Sequence, residues 1–278
     1  MKKLTHVAII TDCSGSMACT RSQSVQGFNE QVQQIKSNVE DGEQYLVSLI
    51  SFNGNVYEHF WKRDVTELQE TSEEGYICSG STAMRDGVGY TINKYLEEVD
   101  QEPKDAEIAY LMIIISDGYE NASQHISPGA LKELIESCKS KGNWTFTYMG
   151  CSPDYVEQLS QEMAIPKGNM AAWDNSTSKG AAFGYSNVTR STDKYLKARK
   201  LGTMGLADFY SCSSESIADF SNVDDADNDA NSTPQLFNAV DIQSTNEQKD
   251  SISSPKANYF QKTGCVDLNK AKWNNKGA

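Results

Sequence analysis

The run Ile108-Ala109-Tyr110-Leu111-Met112-Ile113-Ile114-Ile115 constrains this chain more than any other feature. It is apolar at nearly every position, so neither side is suited to solvent. A strand of that kind sits inside a parallel sheet, covered on both faces. Parallel neighbours require crossover connections, usually helices. The run is also far shorter than the roughly 20 residues of a membrane-spanning helix. It therefore reads as a buried strand.

The remaining segments supply its neighbours. Residues 6–11, 45–52, 144–149 and 170–173 read as further strands. Asn53-Gly54-Asn55 reads as a hairpin turn into residues 56–61, which makes an antiparallel edge pair. Between the strands lie segments with helical spacing. Phe28, Val32, Ile35 and Val39 share one face, as do Val88, Ile92, Tyr95, Leu96 and Val99. Leu131, Leu134, Ile135 and Cys138 mark another helix. Pro128 stands early in it, where a missing N–H is harmless, and Gly142 ends it. Two more helices are predicted over 153–163 and 178–199. This alternation predicts an α/β fold: a doubly wound, mostly parallel six-stranded Rossmann-like sheet with helices on both faces and an antiparallel edge strand.

The pattern covers residues 1–209, read as one domain. Residues 210–255 are rich in Ser, Asp and Asn, including Asp224-Asp225-Ala226-Asp227-Asn228-Asp229, and read as a linker or extended tail. Residues 256–278 carry Tyr259, Phe260, Val266, Leu268 and Trp273, and either dock on the body or stay loose.

The formal charge of −13 disfavours general nucleic-acid binding, because phosphates repel an acidic surface. Lys194, Lys197, Arg199 and Lys200 form a short basic stretch, read as a solvated helix face. Seven cysteines, an odd and scattered number without a CxxC pair, argue against a disulfide framework and a cysteine-ligated zinc. With no apolar signal-peptide core after Met1-Lys2-Lys3-Leu4, the cytoplasm is the expected compartment, and no membrane association is expected.

In a doubly wound sheet, ligands bind beyond the carboxyl ends of the strands where strand order reverses. Residues 6–11 run into Asp12-Cys13-Ser14-Gly15-Ser16, a D-x-S-x-S loop. One carboxylate and two hydroxyls at alternating loop positions can converge on one hard cation. Ser79-Gly80-Ser81-Thr82 precedes the helix near residue 83, and Asp117 follows the central strand within Ser116-Asp117-Gly118.

Together these three loops resemble the metal-ion-dependent adhesion site (MIDAS) of von Willebrand factor type A domains, over about residues 3–205. Segments 148–150, 165–169 and 181–185 further resemble compact intracellular members from bacteria and bacteriophages. The resemblance implies that Asp12, Ser14, Ser16, Thr82 and Asp117 hold a divalent cation. Oxygen-only ligation indicates Mg²⁺, with Mn²⁺ or Ca²⁺ as alternatives, rather than zinc. It further implies a non-enzymatic module in which an Asp or Glu of a protein partner completes the coordination.

Met17, Arg21, Ser22, Met84, Arg85, Tyr119, Glu120 and Asn121 flank the three loops and are expected to form the partner-binding rim. His125 is a further candidate there. Two other readings remain open at this stage. One is a metal-dependent hydrolase acting on a phosphate or peptide, for which no general base stands out among His6, His59 and His125. The other is an RNA-associated module of the same superfamily. The tail run of carboxylates could also occupy the cation site in cis, or in a neighbouring copy as a route to self-association.

Overall fold

The computed structural model describes residues 2–210, 258–261, 264–271 and 273. The apolar run becomes a strand in the middle of a six-stranded sheet. The strands are β1 (Lys2–Asp12), β2 (Glu43–Phe52), β3 (Val56–Asp64), β4 (Ala106–Ile115), β5 (Trp144–Gly150) and β6 (Met170–Ala172). Their order is β3-β2-β1-β4-β5-β6. All pairings are parallel except β2 with β3, which is antiparallel. The helices are α1 (Arg21–Ser37), α2 (Met84–Glu98), α3 (Pro128–Lys139), α4 (Pro153–Glu162) and α5 (Ser178–Lys200).

The sheet divides the core by residue parity, as the pleat requires. Val7, Ile9, Leu111, Ile113 and Ile115 face α1 and α5, packing with Phe28, Val32, Ile35, Tyr185 and Val188. Ala8, Ile10, Met112 and Ile114 face the other way, with Val88 and Ile92 of α2, Leu131 and Ile135 of α3, and Leu159 of α4. Each central strand thus needs apolar side chains at successive positions. The α1–α5 contact is close: a Cβ at Gly27 would lie 2.3 Å from the Tyr185 ring.

Element ends differ from expectation by a few residues. Residues 15–20 form a 3₁₀ turn that leads into α1 at Arg21, and β3 continues to Asp64. The basic stretch differs at one residue. Arg199 is buried and its guanidinium bonds Glu107, while Lys197 pairs with Asp193 and Lys200 with Glu40. Arg199 thus leaves the expected solvated face, whereas Lys197 stays on it, 66% exposed.

Of the expected linker 210–255, Tyr210 is buried in the core beside Phe209, and residues 211–255 with the acidic run lie outside the described residues. The described C-terminal residues belong to the same compact unit as the sheet. Phe260 packs among Phe28, His59 and Tyr76. Cys265 bridges Tyr57, and the Val266 N–H donates to the Val56 carbonyl at 2.8 Å. Trp273 stacks on His125. No helix among the described residues is long and apolar enough to cross a membrane.

Candidate functional site

Strand order reverses between β1 and β4, so the loops after these strands emerge side by side. Asp12 ends β1 and is fully buried. Its Oδ1 accepts the Ser14 N–H at 2.6 Å, and its Oδ2 accepts the Ser116 hydroxyl at 2.6 Å. Ser14 Oγ lies 3.1 Å from Ser16 Oγ, and Ser16 donates to Asp117 Oδ1 at 2.6 Å. Two loops far apart in sequence are thereby linked through serine hydroxyls.

Thr82 enters from the third loop. Its N–H donates to Asn121 Oδ1 at 2.9 Å, and its carbonyl accepts the Asn121 N–H at 3.0 Å. The Gly15 N–H donates to the Gly80 carbonyl at 3.1 Å, which joins the first loop to the third.

Gly118 shows where these groups converge. A Cβ there would stand 3.1 Å from Thr82 Oγ1, 3.6 Å from Ser16 Oγ and 3.7 Å from Asp12 Oδ2. Oxygens from separate loops therefore face one small volume, which stays clear because residue 118 lacks a side chain. No group of three or more His, Cys, Asp or Glu able to hold a metal occurs among the described residues. The cluster instead combines two carboxylates with three hydroxyls, an oxygen set suited to a hard divalent cation. Burial pushes the Asp12 carboxyl up to about 6, and the Asp117 charge acts the same way, while hydrogen bonds from Ser116 and Ser14 oppose both. A positive charge placed there would favour the ionised form.

The expected rim divides. Met17 and Met84 are fully buried and offer no surface; each is the apolar side chain that anchors its loop to the core. Arg21 bonds the Glu73 carbonyl, and Ser22 Oγ donates to Glu73 Oε1 at 2.6 Å. Glu120 turns inward: its carboxylate accepts the N–H groups of Arg85, Ala122 and Ser123. Asn121 serves Thr82 as above. Tyr119 is 60% exposed and leans on Tyr155. His125 lies under Trp273.

Sequence reasoning missed three contributors. Asn175, before α5, donates to Asp117 Oδ2 at 3.1 Å. Nothing in its spacing marks it, since the contact is purely tertiary. Ser116 directly precedes Asp117 and reads as the end of an apolar strand. Ile77, two residues before Ser79, is 69% exposed.

The chain matches the family model for the von Willebrand factor type A domain over residues 6–182. No curated protein matches. Among solved structures it is similar to proximal thread matrix protein 1 from the mussel byssus, with a zinc-occupied MIDAS motif. That match has 15% identity over 70% of this chain and 46% of that one, with a TM-score of 0.46. A von Willebrand factor type A protein from Catenulispora acidiphila is 16% identical over 69% of this chain and 43% of that one, with a TM-score of 0.45. The vWF domain of the type V pili tip protein Mfa5 from Porphyromonas gingivalis is 10% identical over 70% of this chain and 97% of that one, at 0.49. The chain thus spans less than half the length of the mussel and Catenulispora structures. With well over half its residues matched and the doubly wound sheet in place, the chain belongs to the von Willebrand factor type A domain family.

Proposed function

We propose that the cation site of this chain is a non-enzymatic binding module that captures an acidic side chain of a protein partner through a divalent cation held by Asp12, Ser14, Ser16, Thr82 and Asp117. The observation that carries the reading is the convergence of Thr82 Oγ1, Ser16 Oγ and Asp12 Oδ2 beside Gly118. Mg²⁺ suits the small all-oxygen site best, with Mn²⁺ and Ca²⁺ as alternatives. When bound, the cation supplies a coordination position for a partner carboxylate.

The chain's own residues orient the donors. Ser116 and the Ser14 N–H hold the Asp12 carboxylate in one rotamer, and Asn175 with Ser16 holds Asp117. Preorganised donors lose little entropy on binding. Around the site, Tyr119 and Ile77 present apolar surface, with Asn121 as a polar neighbour. These residues, with Arg21 and Arg85, would set partner choice. The odd, scattered cysteines support a reducing, cytoplasmic setting.

The test is calorimetric titration of Mg²⁺ and Mn²⁺ into the full chain and into Asp12→Ala, followed by capture of lysate proteins in Mg²⁺ and in EDTA. Saturable binding lost in Asp12→Ala, with a protein retained only in metal, supports the reading. Cation binding indifferent to Asp12, or capture indifferent to EDTA, overturns it.

A further inference from the structure

Beside the cation loops, and separate from the convergence point at Gly118, lies a cavity of about 300 Å³. Its lining includes Cys13, Ser51, Asn53, His59, Tyr76 and Phe260. Ser51 is on β2 and His59 on the antiparallel β3. Their side chains meet: Ser51 Oγ lies 2.7 Å from His59 Nε2. His59 Nδ1 lies 3.2 Å from the Tyr259 carbonyl. A carbonyl oxygen only accepts, so Nδ1 carries the proton and Nε2 is the acceptor for the Ser51 hydroxyl. A hydroxyl paired to an imidazole that a third group orients is the arrangement of an activated nucleophile.

We propose that this cavity is a second, acyl-transfer site, in which Ser51 is the nucleophile and His59 the general base toward small uncharged carboxylic esters. Burial pushes the His59 imidazole down to about 4, so it stands neutral at pH 7 with an unprotonated ring nitrogen. Asn53 follows two positions after Ser51 and lines the same cavity. Its Oδ1 accepts the Asn55 N–H at 2.9 Å, which leaves its amide NH₂ as the group that can donate to an oxyanion. No lining side chain is an acid, a lysine or an arginine, and Phe260 and Tyr76 add aromatic walls. The substrate is therefore neutral and small. Ser51 is only 2% exposed, so reaction is confined to molecules that enter the cavity.

The chemistry balances with ester and water alone. Ser51 Oγ bonds to the ester carbonyl carbon as its proton passes to His59 Nε2. The bond to the alkoxy oxygen breaks, and the alcohol leaves with that proton. Water then adds to the acyl-Ser51 ester, giving a proton to Nε2. The acyl–Ser51 bond breaks, the carboxylic acid departs, and Ser51 recovers its hydrogen.

The experiment exposes the full chain to a fluorophosphonate serine probe and to p-nitrophenyl acetate, with the adduct mapped by mass spectrometry. The expected adduct is on Ser51, is absent in Ser51→Ala, and forms about 100-fold more slowly in His59→Gln. EDTA leaves it unchanged, which separates this site from the cation site. Should His59→Gln fail to fold, Asn53→Ala decides, with an expected slowing of about 100-fold. No adduct, an adduct elsewhere, or a Ser51 adduct whose rate ignores both His59 and Asn53 overturns the proposal.

Discussion

The hydroxyl of Ser116, just beyond β4, donates to Oδ2 of Asp12 at the end of β1 over 2.6 Å. This bond spans the reversal point of the sheet, where backbone pairing between the two strands ends. It fixes a buried carboxylate while leaving each of its oxygens a further lone pair. The loop therefore holds its geometry through its own hydrogen bonds.

Asn175 extends that order to Asp117. Its amide donates to Asp117 Oδ2 across 58 residues of sequence. Replacing it with Ala should weaken cation affinity roughly tenfold, because groups that orient a ligand carry that scale of effect. Thermal stability should change little at this half-buried loop position. Calorimetric titration with Mn²⁺ checks the first expectation and a melting curve the second.

Gly118→Ala tests the convergence point directly. The new methyl would press on Thr82 Oγ1 at 3.1 Å and crowd Ser16. Cation affinity should fall by about tenfold or more. Undiminished affinity would move the binding position away from Gly118.

Acid should destabilise the fold through its histidines. Burial holds His59 at about 4 and also lowers His6. The unfolded imidazole titrates near 6.5. Below that value the unfolded chain takes up protons first, so stability present above 6.5 is lost as pH falls toward 4. The His59→Gln variant should show a shallower fall in melting temperature across that window. An unaltered slope would assign the effect to other groups.

Asp86 carries a structural load that no motif announces. It is buried in the first turn of α2, and its carboxylate accepts the N–H groups of Gln124, His125 and Ile126 at 2.9–3.1 Å. Asp86→Ala leaves those donors unpaired and should cost about 3 kcal/mol. Urea denaturation measures it, and a loss under 1 kcal/mol would mean that water replaces the carboxylate (about 1 kcal/mol being the net worth of one hydrogen bond).

The sheet and its helices were legible because burial imposes a period. Ile113 and Ile114 must both be apolar when opposite faces are covered, and Phe28, Val32 and Ile35 recur once per turn. The strand-end oxygens were legible because their loops follow such strands. What period cannot reveal is which way a loop side chain turns. Met17 and Met84 read as rim residues but serve the core, and Glu120 turns its charge onto neighbouring N–H groups. Asn175 and the Ser51–His59 pair were hidden for a related reason. Their partners are set by how strands and loops meet in space, not by local spacing.

The hydrogen bond from the Val266 N–H to the Val56 carbonyl, with the neighbouring Cys265–Tyr57 bridge, lies on the outer rim of β3. An unpaired outer strand is a template onto which another polypeptide can add. Here the protein's own C-terminal residues occupy those positions. At Val56 and Tyr57 this end of the outer edge is therefore already taken, and a foreign strand cannot pair there without first displacing the chain's own residues.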